Sequence, residues 1–262
     1  MSSQIIGLQE WLLTPPGRYL LDWEQAQLNE AVADIFGFHA LQLGLPELDG
    51  LAANRMPHRW LATQTAHPGA ALVTDFAALP FPQHSLDLVV LPHALELAAD
   101  PHSTLREVER VLLPEGRVVI CGFNPASLWG LRQRRSQLFQ RFGWGSPFLP
   151  PMEFMGYWRL RDWLRLLGFE VEVVRFGAYR PAFKSEQWLH RLRWLDALGA
   201  RWWPILGAAY FLVAVKRVPS MTLLSPAWKA AKQRANAQVL VANHSTLTGS
   251  GDLNHQKTRS TD

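Results

Sequence analysis

The chain has 262 residues, 48% of them hydrophobic, with a formal charge of +4 and a pI near 9.5. That is enough apolar chain for one large or two small domains, and the mildly basic balance tolerates an anionic partner without demanding one. One cysteine, Cys121, excludes a disulfide framework and fits a reducing compartment, the cytoplasm. The N-terminus has no basic segment followed by an apolar core, so no secretory signal is expected.

Residues 1–21 have mixed character, and Pro15-Pro16-Gly17 reads as a turn, so a loosely packed lead-in is expected there. Asp22 is a candidate N-cap for a helix to about Phe36, with Leu28, Ala31, Val32 and Ile35 on its inner face and Gly37 at its end. His39–Leu43 reads as a strand running into Gly44-Leu45-Pro46, and Arg59–Thr63 as the next. Ala71–Val73, Leu86–Leu91 and Arg117–Cys121 are short apolar runs bounded by turn residues, hence buried strands. Between the last two lies a helix with Asp100 at its N-cap and Pro101 at its first position. Leu105, Val108 and Leu112 line one face of it, and Pro114-Glu115-Gly116 stops it. Strand, helix and strand joined by short turns make a βαβ unit, which implies parallel strands covered by helices. Cys121, inside a strand, reads as a buried thiol.

Asn124 is a candidate cap for a helix from Pro125 to about Phe142, loaded with Arg132, Arg134, Arg135 and Arg141. Such a run usually marks a solvated face. Phe142–Pro151 reads as a loop or lid. Leu160, Trp163, Leu164 and Leu167 give a further helix face closed by Gly168, followed by a strand at Phe169–Phe176 and another at Ala208–Val215. Between these two strands tryptophan and arginine alternate through an amphipathic helix, from Trp188 to Trp203. Three uses compete for that stretch: a cap over an acceptor site or ordinary packing, docking on a membrane surface or a protein, and, ranked last, nucleic-acid binding. The most apolar run, Trp202–Val215, is broken by Pro204 and Gly207 and is shorter than the roughly 20 residues needed to span a bilayer. From Pro219 apolar residues thin out and disorder is expected. The histidines are scattered without metal-ligand spacing, so no metal is expected.

A strand ending in Asp75, the turn Leu79-Pro80-Phe81, the strand Leu86-Asp87-Leu88-Val89-Val90, the helix end Glu109-Arg110-Val111-Leu112 and the turn Pro114-Glu115-Gly116 occur in that order over about fifty residues. In this the chain resembles class I S-adenosylmethionine-dependent methyltransferases of type 11. The resemblance implies an α/β Rossmann-like fold, a seven-stranded sheet with helices on both faces. It implies domain limits of about 22–217, with a helical insertion at about 181–207 and a tail at 218–262. It also implies S-adenosyl-L-methionine as cofactor and an unidentified methyl acceptor. Cofactor contacts carried over from the family are Gly44, Asp75 for the adenine amino group, Phe76 for the ring, and Leu91-Pro92-His93 where donor and acceptor should meet. His93 is the candidate general base, or else a backbone contact beside the cofactor. The chain departs from the family twice. Pro46 stands at the second glycine of the cofactor loop, and Thr63 stands where the next strand usually ends in a ribose-binding acid. The alternative function is therefore a non-catalytic binding or scaffold protein on the same fold.

Overall fold

The computed structural model describes residues 2–141, 148–150, 152–183 and 185–217. The chain opens with two helices, α1 (Ser2–Leu12) and α2 (Pro15–Ala33). The expected lead-in is thus helical, and Leu8, Leu12 and Leu20 are fully buried in it. The two prolines are the physical reason: they occupy the first two positions of α2 rather than a turn, where their fixed φ suits a helix and no N–H is needed. Asp22 accordingly lies inside α2 and caps nothing.

The strands are β1 (His39–Leu43), β2 (His58–Thr63), β3 (Leu72–Val73), β4 (Leu86–Pro92), β5 (Leu112–Phe123), β6 (Phe169–Gly177) and β7 (Ala209–Lys216). They form one seven-stranded sheet in the order β3-β2-β1-β4-β5-β7-β6. The pairs from β3 through β5 are parallel, whereas β7 runs antiparallel to β5 and β6. β1 leads outward to β2 and β3 on one side, while β4 and β5 continue on the other, so the order of strand addition reverses between the parallel strands β1 and β4. Such a switch point opens a crevice at the carboxyl ends of the strands.

The helix after β4 behaves as its end signals demand. α3 (Ala94–Leu97) is one turn, and α4 (Pro101–Val111) begins where Asp100 Oδ1 accepts from the His102 and Ser103 amides at 3.0 and 3.3 Å. Leu112, expected on the helix face, instead leaves it and pairs with Leu86 in the sheet. Glu107 and Arg110 on α4 clip the Leu79-Pro80-Phe81 turn. Glu107 accepts from the Leu79 amide at 2.8 Å, and Arg110 donates to the carbonyls of Leu79 and Phe81 at 3.2 and 2.9 Å. Asp87 ties the start of β1, accepting from the Phe38 and His39 amides at 2.8 and 2.9 Å. The spaced sequence pieces therefore touch one another.

α5 (Leu128–Arg141) starts later than expected. Ser127 caps it, its Oγ accepting from the Gly130 amide at 3.0 Å. Asn124 turns its own amide toward the carbonyls of Ile205 and Gly207 at 2.6 and 2.9 Å. α6 (Tyr157–Leu166) precedes β6. Between β6 and β7 lie α7 (Glu186–Arg191), α8 (Trp194–Trp202) and a 3₁₀ turn at Pro204–Leu206. The tryptophan stretch is thus two short helices broken at Leu192 and Arg193 rather than one. The expected loop at Phe142–Pro151 lies mostly outside the described residues, and the 218–262 tail lies wholly outside them.

Candidate functional site

At the β1–β2 side of the switch point is a cavity of about 310 Å³, lined by Gln9 of α1, Gly44-Leu45-Pro46, the Thr63–His67 turn, Phe76 and Leu97. Gly44 and Leu45 both have positive φ, at 80° and 43°. Such a backbone suits glycine but strains leucine by about 1–2 kcal/mol. A buried amide holds it in place. Gln42 Nε2 donates to Leu48 O at 2.7 Å and shares longer contacts, both 3.1 Å, with Gly44 O and Leu45 O. Its Oε1 accepts from the Gly50 amide at 2.8 Å. One side chain thus grips both ends of the loop.

None of the residues lining the cavity is acidic. The Thr63 hydroxyl donates to Thr65 O at 2.7 Å, so it is turned onto its own loop. Gln64 and Gln9 face the cavity with no side-chain hydrogen bond among the described residues. The Phe76 ring forms one wall and approaches Gly44: a Cβ added there would lie 3.5 Å from it.

The β4–β5 side is built differently. His93 follows β4 in a left-handed conformation, with φ 53°, and its amide bonds to Cys121 O at 3.0 Å. Its ring is completely buried. Nδ1 lies 2.6 Å from Glu96 Oε2, and Nε2 lies 2.8 Å from Glu24 Oε1. Glu96 Oε1 also accepts from the Phe123 amide at 2.6 Å. Burial opposes charge on the imidazole, but the two carboxylates overcome it and push its pKa up to about 10. Burial raises Glu96 as well, against the pull of His93. The second Glu24 oxygen, Oε2, is buried with no partner. Phe123 packs on the His93 ring with centroids 4.4 Å apart, and Phe154 stacks on Phe123 at 5.1 Å. Trp11, Trp129 and Phe148 meet edge to face beside them.

Of the residues expected at the site, Gly44 and Phe76 line the cavity. Leu91, Pro92 and His93 are buried at the end of β4 and do not line it. Both ring nitrogens of His93 face carboxylates, so as an imidazolium it donates from both and has no lone pair to offer. Asp75 is exposed, and its Oδ1 accepts from the Ala77 amide at 3.0 Å, closing its own turn. Two important residues were missed by the sequence reading, and both left a signal. Glu24 interrupts the buried stripe Leu20, Leu28, Val32 at a four-residue step. Gln42 interrupts the apolar strand Ala40-Leu41-Gln42-Leu43.

A sheet of this order with a glycine turn and a nucleoside-sized cavity at its switch point defines a class I methyltransferase fold. Residues 51–120 match the family described as "Methyltransferase domain". A SAM-dependent methyltransferase from Thermotoga maritima has the same fold, with a TM-score of 0.53 at 17% identity over 76% of this chain and 92% of that one. A short stretch is 45% identical over 58 residues, 22% of this chain and 20% of the relative, to malonyl-[acyl-carrier protein] O-methyltransferase of Halorhodospira halophila (strain DSM 244 / SL1). The chain thus carries a methyltransferase-domain match on the class I methyltransferase fold. It belongs to one family with the uncharacterized protein YafS of Escherichia coli (strain K12), 33% identical over 215 residues, 81% of this chain and 82% of that protein. No described helix is long and apolar enough to cross a membrane, and the described residues contain no cluster of metal-ligating side chains.

Proposed function

We propose that the protein is a methyltransferase that binds S-adenosyl-L-methionine in the Gly44–Phe76 cavity and passes its methyl group to an acceptor in the cytoplasm. The observation that carries this reading is the cavity's position at the switch point, between the strained Gly44 turn and the Phe76 ring. The residues suit the cofactor. A flat apolar wall at Phe76 takes an adenine ring, and the free carboxamide of Gln64 can exchange hydrogen bonds with ribose hydroxyls in place of the missing acid. Gly44 lets the backbone come close. Bound there, the cofactor supplies an electrophilic methyl group on a sulfonium. The chain's part is to orient the two reactants and exclude water, and positioning alone can supply much of the rate.

His93, Glu24 and Glu96 are assigned to holding the wall between the cavity and the aromatic cluster. No proton transfer is routed through them. Leu91 and Pro92 support the same wall from below. Asp75 is assigned to aiming Phe76 through its turn.

Calorimetric titration of the purified protein with S-adenosylmethionine and S-adenosylhomocysteine tests the reading. Saturable heat with both ligands is expected. Because no acidic residue lines the cavity to favour the cationic donor over the neutral thioether, the two should bind within a few fold of each other. No heat and no thermal shift at millimolar ligand would favour the second reading, a non-catalytic protein on this fold. The aromatic packing of Trp11, Phe123, Trp129, Phe148 and Phe154 around the end of β5 supports that alternative, because it fills space beside His93.

A further inference from the structure

We infer that the surface formed by α5, α7, α8 and the following 3₁₀ turn docks the protein onto an anionic lipid bilayer. α5 is amphipathic in the reverse sense. Its inner side places Trp129 and Gln133 in the core, while Leu128, Leu131 and Leu138, at 54–63% exposure, form a stripe that faces out. Phe139 extends that stripe. On α7, α8 and the 3₁₀ turn, Trp188, Trp194, Trp202 and Trp203 are 53–65% exposed, and Ile205 and Leu206 are exposed beside them. Single exposed apolar residues are ordinary, but a run of leucines and four tryptophans on neighbouring elements is the mark of an interaction surface.

These elements are neighbours. Trp129 Nε1 donates to Arg180 O at 2.8 Å and Arg132 donates to Ala182 O at 2.5 Å, which puts α5 beside the segment leading into α7. Asn124, just before α5, holds the 3₁₀ turn through Ile205 and Gly207.

Charge selects the partner. α5 contains no acidic residue. Arg134, Arg135, Arg191, Arg193 and Arg201 are exposed and have no carboxylate partner among the described residues. The two acids on α7 and α8 are engaged elsewhere: Glu186 lies 3.9 Å from Arg18, and Asp196 takes the Tyr19 hydroxyl and Arg180. The Arg191 guanidinium sits over Trp188, 5.4 Å from the ring centroid. Trp194 and Arg201 are seven residues apart on α8 and share a face. An indole has an apolar body and one N–H donor and settles at the water–lipid boundary. Guanidinium groups pair with phosphate. The outward leucines of α5 fit acyl chains and add nothing to a contact with a nucleic-acid backbone. No described helix can cross the bilayer, so the contact is peripheral, through short helices lying in the interface.

The test is co-sedimentation of the full-length chain with vesicles of phosphatidylcholine alone and with vesicles in which a third of the lipid is phosphatidylglycerol. Binding to the mixed vesicles should exceed that to the neutral ones by at least tenfold and weaken as salt rises. The combined variant W188S, W194S, W202S and W203S should stay in the supernatant. The combined variant R134Q, R135Q, R191Q and R201Q should lose affinity for the anionic vesicles by about fivefold per arginine. Both variants should keep the wild-type melting temperature, because the replaced side chains are exposed. If the tryptophan variant melts early, the arginine variant decides the matter. Wild-type protein that ignores the mixed vesicles overturns the inference, as does an arginine variant that binds them like wild type. A salt-sensitive complex with single-stranded RNA, formed in preference to vesicles, overturns it too and reassigns the arginines to nucleic acid.

Discussion

The two sides of the switch point make opposite use of polar groups. On the β1–β2 side no acidic residue lines the cavity, and the buried amide of Gln42 works behind it on backbone carbonyls. On the β4–β5 side His93, Glu24 and Glu96 bring ionisable groups together in the buried interior. A shared fold thus separates two tasks. The proposed ligand side offers shape and hydrogen-bonding groups without a carboxylate, and the charged side joins α2 to the end of β4. Charge in the interior is not by itself a catalytic signature, since ion-paired structure also shifts pKa values.

The largest expected effect lies on the charged side. His93→Ala strips the common partner from two buried carboxylates, and breaking a buried pair this way costs about 3–5 kcal/mol. Thermal melts should show a loss of roughly 6–20 °C. A variant that melts within a degree or two of wild type would mean that the cluster carries no structural load, and the contrast between the two sides would fail.

The same cluster predicts a pH dependence. The folded-state pKa of His93, about 10, lies above the value near 6.5 of an unperturbed imidazole. The folded chain therefore keeps a proton that the unfolded chain releases. That stabilisation is complete below about pH 6.5, shrinks as pH rises, and is gone above about pH 10. The raised pKa of Glu96 acts in the same direction, because ionising it costs more in the folded protein than in the unfolded one. Urea melts at neutral pH and near pH 10 should show stability falling, and His93→Gln should flatten the change. A rise in stability toward pH 10 would mean that the imidazole is buried neutral.

Gln42→Leu probes the ligand side with a smaller effect. It removes the amide that holds Gly44, Leu45, Leu48 and Gly50, leaving buried backbone groups unpaired at roughly 1–3 kcal/mol. Titration should show the affinity for S-adenosylhomocysteine reduced by about tenfold or more, because the strained turn relaxes. Unchanged affinity in the folded variant would mean that the loop holds its shape without Gln42.

The sheet was legible in the sequence because short apolar strands and the Asp100-Pro101 helix start are local signals that tertiary packing did not override. Pro114-Glu115-Gly116, expected as a turn, instead lies inside β5 at a register shift, where Leu86 pairs with Leu112 and Leu88 with Arg117. α1 and the start of α2 were not legible, because two prolines mark a turn and a helix start equally well. The tryptophan stretch was read as one helix, because amphipathic spacing does not reveal a break at Leu192. At the site, Gly44 and Phe76 were reachable from their motifs. The partners of His93 were not. Glu24 is 69 residues away in sequence, and only the topology brings α2 over the end of β4. A charged residue on an otherwise apolar helix stripe was the one clue, because such a position demands a buried partner.

Asp75 offers the finest test, with the smallest expected effect. The resemblance to the family assigns its carboxylate to the adenine amino group. A lost hydrogen bond to a charged acceptor would then cost about tenfold to a hundredfold in affinity. The geometry gives Asp75 another task. Its Oδ1 accepts from the Ala77 amide at 3.0 Å and shapes the turn that presents the next residue, Phe76, to the cavity. Asp75→Ala should therefore lower cofactor affinity by less than about fivefold, the worth of an ordinary net hydrogen bond near 1 kcal/mol. Asp75→Asn, whose side-chain oxygen can close the same turn, should recover most of it. Calorimetry on the two variants, with circular dichroism on the same samples, separates the roles. A hundredfold loss in folded Asp75→Ala would return the carboxylate to the adenine and show that the ligand side uses charge after all. A loss of a few fold would leave the Phe76 ring and the Gly44 turn, held by Gln42, as the features that make the cavity bind.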